Sequence, residues 1–68
     1  MTNRELNDVL SALENEGYDG DVVYDAIKKI ELDAGCLITD YEPLEAAIEI
    51  TRLVNMWRWL EDEKNQEK

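Results

Sequence analysis

The chain has 68 residues, with 17 acids, seven bases and no histidine, for a net charge of −10. This length builds one domain, and such a domain buries only about 60% of its unfolded surface, so its stability is marginal unless a partner or a second copy contributes. The charge argues against direct contact with nucleic acid or an anionic membrane, because both demand a basic patch.

Thr2-Asn3-Arg4-Glu5 reads as a capping box, with Thr2 as the cap and Glu5 reaching back to it. Leu6, Val9, Leu10 and Leu13 follow at i, i+3, i+4 and i+7, and Gly17 supplies a left-handed stop. The first helix is therefore expected over about residues 3–16. Tyr18-Asp19-Gly20-Asp21 is a short polar turn in which Asp19 or Asp21 caps the second helix. Val23, Ala26, Ile27, Ile30 and Ala34 form its stripe, with Val22 on the flank, Leu32 pointing away and Gly35 closing it.

Cys36-Leu37-Ile38-Thr39 predicts an apolar loop that lays Leu37 and Ile38 over the core, since a lone strand has nothing to pair with. Asp40 is expected to cap the third helix, with Pro43 in its first turn, where a missing N–H costs nothing. That helix is the longest apolar-rich segment. Ala46, Ile50, Leu53, Trp57 and Leu60 are spaced 4, 3, 4, 3 along one side, with Ala47 and Val54 widening the seam. Ile48 and Trp59 fall on the opposite side, flanked by Leu44. Two arrangements stay open: neighbouring elements cover both faces, or Ile48 and Trp59 form a surface for a partner or a second copy. The expectation is an all-α, three-helix domain with a long C-terminal helix over residues 1–63, and a frayed polar tail at 64–68.

Chemistry finds little to work with. Asp19-Gly20-Asp21 opens like a calcium loop, but Val23, Tyr24 and Ile30 occupy its fifth, sixth and twelfth positions, where ligands and a glycine are required. One cysteine and no histidine leave no zinc set, no base stands beside Ser11 or Cys36, and no glycine-rich phosphate loop is present. The expectation is a non-enzyme with no metal and no cofactor. Cys36 alone forms no internal disulfide and fits a reducing compartment. MTNRELND is polar and acidic, unlike a secretory leader, and no uninterrupted apolar run reaches the ~18 residues of a membrane span. A cytoplasmic location is expected.

The acids are unevenly distributed. Seven lie between Glu5 and Asp25 with no base among them, and six more between Glu31 and Glu49, again with no base. Arg52 and Arg58 come late in the third helix, at the right spacing to pair with Glu49 and Asp62. The first two helices should thus present a nearly unrelieved negative surface. Asp8, Glu14, Asp19, Asp21 and Asp25 are the candidate electrostatic contacts, and Ile48 and Trp59 the candidate apolar anchors.

In size, charge and lack of chemistry the chain resembles the small acidic phage-encoded inhibitors, among them anti-restriction and anti-CRISPR proteins that imitate DNA. Separately, Ala12-Leu13, Gly17-Tyr18, Ala26-Ile27 and Leu44-Glu45-Ala46-Ala47-Ile48 resemble the ubiquitin-associated domain over about residues 3–50. That resemblance implies a three-helix shape and carries no site residues; Glu16 stands where the family has Met, and the Trp-bearing extension lies outside it. The function expected is a regulator or inhibitor that binds a basic, nucleic-acid-handling surface of a larger protein. The alternative is a structural or adaptor module that homodimerises, or binds a partner helix, through the third helix.

Overall fold

The computed structural model describes residues 1–66, and their side chains as far as residue 62. It is all-α: α1 (Asn3–Asn15), α2 (Gly20–Ala34), a 3-10 turn (Ile38–Asp40) and α3 (Pro43–Gln66). The capping box forms as the sequence predicts. Glu5 N–H donates to Thr2 Oγ1 at 3.1 Å, and Thr2 N–H donates to Glu5 Oε1 at 3.0 Å. At the other end Tyr18 N–H reaches back to the Leu13 carbonyl and Gly17 N–H to that of Glu14, both at 3.0 Å. This paired closure requires a left-handed residue, and Gly17 has φ +97°. It also folds Tyr18 against the core, above buried Leu13.

α2 starts under Asp19, whose Oδ1 accepts from Asp21 N–H at 2.9 Å, and stops at Gly35, φ +71°. Two carboxylates then hold the connection. Glu31 Oε2 accepts from Ile38 N–H at 2.8 Å, and Asp40 Oδ2 accepts from Leu37 N–H at 3.2 Å. Asp40 therefore closes the 3-10 turn and does not cap α3, because its carboxylate is turned back to an amide three residues earlier. The amino group of Met1 donates to the carbonyls of Thr39 and Tyr41, tying the start of α1 to the same connection.

Among the described residues ten make the core: Val9 and Leu13 from α1; Val23, Ala26, Ile27 and Ile30 from α2; Ile38; and Ala46, Ile50 and Val54 from α3. α3 packs on both other helices, more extensively on α2. Its buried line advances by fours, through Ala46, Ile50 and Val54, then reaches half-buried Trp57. Leu53 becomes the flank and Leu60 is exposed, because α1 and α2 are too short to follow α3 to its end. Ala34 is likewise exposed past the last turn that touches α3, and of the two loop residues only Ile38 enters the core while Leu37 faces outward. Leu32 points away from the core, as expected. α3 is described as far as Gln66, and the side chains of the tail assigned to 64–68 lie outside the described residues.

Two stability measurements check this packing. Ile50 is fully buried and Leu60 is 45% exposed. Ile50→Ala should cost about 2–5 kcal/mol in urea unfolding, and Leu60→Ala well under half of that; equal losses would mean the buried line is misplaced. The Thr2 N–H holds the Glu5 carboxyl below its ordinary value. Its contribution is therefore present above the usual Glu value of about 4.3 and lost as pH falls through the lower folded value. The melting-temperature gap between the protein and Glu5→Ala should close in that acid range, and a gap independent of pH would refute the assignment.

Candidate protein-binding surfaces

The five candidate acids are all exposed, and the fold gathers four of them. The α1–α2 turn brings Glu14 over the start of α2, so close that a Cβ on Gly20 would sit 3.2 Å from Glu14 Oε1. Asp19 and Asp21 belong to that same start, and Asp25 follows one helical turn beyond Asp21. Asp8 stands apart. It precedes Glu14 by six residues, about 9 Å of helix, and is rotated about 120° from it. Asp19 also has a structural duty, since its carboxylate caps α2.

The acidic end is not unrelieved. Arg58 comes across from α3 and lies over the Tyr18 ring, 5.0 Å from its centroid. It lines a cleft of about 420 Å³ with Asp19, Asp25, Trp57 and Leu60. The expected pairing of Arg58 with Asp62 gives way to this contact because the α1–α2 turn offers both an aromatic face and two carboxylates. The one signal for it in the sequence is Tyr18 directly after the helix-stopping glycine. Arg52 does pair with Glu49, at 3.9 Å, and Lys29 pairs with Asp33 at 3.3 Å. These are the ion pairs among the described residues, both are exposed, and such pairs contribute little. Most carboxylates among the described residues face solvent without an ion-pair partner.

The outward side of α3 is uncovered. Leu44 is 73% exposed, Trp59 60% and Ile48 46%. Of the two arrangements open at the outset, the one with both faces covered does not occur, because three helices of these lengths wrap only one side of α3. Ile48 borders a shallow groove against Ala12 and Leu13 of α1. Trp59 stands about 17 Å further along α3 on nearly the same bearing. Met56 and Leu60 are also half-exposed, the first unmarked by periodicity and the second assigned by it to the seam.

A wider groove of about 850 Å³ runs between the end of α2 and α3, over Ile30, Ala34, Leu53, Met56 and Tyr41. Burial pushes the Tyr41 phenol up, helped by the Cys36 thiol and the Glu49 and Glu45 carboxylates. Among the described residues no three of Cys, Asp and Glu stand close enough to hold a metal ion, and no helix is long and apolar enough to cross a membrane. Comparison with protein-family models, with curated proteins and with solved structures finds no match to this chain.

The Arg58–Tyr18 contact is open to a double-mutant cycle. With Arg58→Met and Tyr18→Leu, the coupling should be about 0.5–1 kcal/mol, the scale of a cation–π contact at an exposed site. Additive losses would mean that the stacking contributes nothing.

Proposed function

We propose that this protein is a non-enzymatic inhibitor or regulator that docks its acidic end on a basic surface of a larger, nucleic-acid-handling protein, in the manner of a DNA mimic of the phage anti-restriction or anti-CRISPR kind. One observation carries the reading: Glu14, Asp19, Asp21 and Asp25 are gathered around the turn between α1 and α2, at one end of the helical scaffold, with Arg58 of α3 beside Asp19 and Asp25. Carboxylates held in this way need little reordering on binding, and the net charge of −10 steers the protein toward a cationic groove from a distance. The partner is a protein, and nucleic acid itself is repelled. Free Cys36 suits a reducing, cytoplasmic setting.

A second reading is favoured by a different observation, the exposure of Trp59, Ile48 and Leu44 along α3. Here the protein is an assembly or adaptor module that pairs through α3, and the acids serve solubility.

The acidic-face reading is tested with the tagged chain in host lysate, eluted by a salt gradient, followed by kinetics on the recovered partner. A nuclease, polymerase or repressor released by moderate salt or by competing DNA is the expected result. Joint reversal of Glu14, Asp21 and Asp25 to Lys, which spares the Asp19 cap, should slow association on the order of 10- to 1,000-fold. A rate that ignores both the substitutions and the salt would end this reading.

A further inference from the structure

The cleft beside the α1–α2 turn has an apolar floor under a charged rim. Asp19, Val22 and Asp25 recur at 3, 3, so the start of α2 offers a strip that runs acid, apolar, acid over about 9 Å. Across from it α3 brings Val54, Trp57 and Arg58, with Glu61 one turn further on, and the two strips enclose about 420 Å³. Val54 is buried and forms the bottom, while half-buried Val22 and Trp57 form the walls. Three carboxylates, those of Asp19, Asp25 and Glu61, face the one guanidinium of Arg58 at this rim. None of the three has an ion-pair partner among the described residues, and Arg58 is turned instead onto the Tyr18 ring.

We propose that this cleft takes one arginine side chain of the basic partner, with its methylene stem along Val22 and Trp57 and its guanidinium between Asp19 and Asp25. The proposal rests on the acidic-face reading and names the anchor of that contact.

Charge decides the sign of the occupant. Two of the three carboxylates stay uncompensated once Arg58 is counted, and a neutral or anionic group would desolvate them with nothing in return. Shape decides its kind. The volume lies at the small end of the ~300–1,000 Å³ of ligand sites, which suits one long side chain and excludes a helix. An apolar wall that ends in carboxylates fits a cation on an aliphatic stem, because the stem is buried while the head stays at the rim. The choice of arginine over lysine follows from the edge of the cleft, where a guanidinium already lies 5.0 Å from the Tyr18 centroid. Trp57 offers a second and larger ring. A planar guanidinium stacks on such a face and forks onto carboxylates in one geometry, which the compact ammonium does not. Arg58 is then a competitor already in place, sharing the carboxylates with the incoming side chain.

The test titrates the isotope-labelled full chain with Nα-acetyl-arginine amide at fixed ionic strength, following the two indole N–H signals by NMR. The Trp57 signal should move saturably, and the Trp59 signal, on the outward side of α3, should stay in place. The citrulline amide, of the same shape without the charge, should move neither, and the lysine amide should bind more weakly. Asp25→Asn should weaken the arginine response and Arg58→Met strengthen it, each about two- to fivefold, the scale of an exposed charge pair. Both residues are exposed, so the fold should survive, and Asp19 is left alone because it caps α2. An unmoved Trp57, an equal response to the citrulline or lysine amide, movement led by Trp59, or an affinity indifferent to either substitution would each overturn the proposal. If the amide leaves Trp57 unmoved while reversal of Glu14, Asp21 and Asp25 still slows partner association, the cleft assignment fails and the acidic-face reading stands. If the amide binds as expected and no basic partner binds the chain, the cleft stands as an arginine site and the acidic-face reading fails.

Discussion

Everything in this fold depends on how closely α3 lies against α2. Ala46, Ile50 and Val54 are almost wholly removed from water, as are Val23 and Ala26. The chain has no phenylalanine, and neither tryptophan enters the fully buried set. Close approach of small and β-branched side chains therefore replaces bulk as the source of cohesion. Val and Ile in a helix hold nearly one rotamer each, so they surrender little freedom on packing and leave little slack. Such a core is specific but small. It explains why the ends of the elements are fastened so carefully, by the capping box at Thr2, the double closure at Gly17, and the Glu31 and Asp40 carboxylates on the connection.

Helix number, order and ends were legible in the sequence because they follow from short-range chemistry. Thr2 with Glu5, Gly17, Asp19 and Gly35 each act within a few residues of themselves, and each does what its local pattern implies. The buried line of α3 was less legible. A 4, 3, 4, 3 seam and a 4, 4 line share Ala46 and Ile50 and part only at Leu53 and Val54, where the angle between helices decides. Spacing along one helix carries no information about that angle. Asp40 was misread for a related reason: a carboxylate within reach of two amides binds whichever the chain turns toward it, and the 3-10 turn settles that.

The surface follows a similar logic. The charge pattern on α1 and α2 identified the exposed acids, since carboxylates without partners stay in water. It gave no sign that Glu14 would lie over Gly20, that Asp8 would be left alone, or that Arg58 would cross to Tyr18, because each depends on the path of the α1–α2 turn. The result is a molecule with two unlike sides. One end gathers carboxylates; the outer side of α3 gathers apolar groups around one arginine.

Trp57 and Trp59 are separated by one residue but face opposite ways, the first half-buried against the core and the second standing in solvent. One helix thus carries two indole reporters with different subjects. A quencher dissolved in water reaches the outer ring first and the inner ring only as the helices part. The intrinsic fluorescence of this chain therefore has two separable components, one following the integrity of the three-helix packing and the other following whatever settles on the outside of α3.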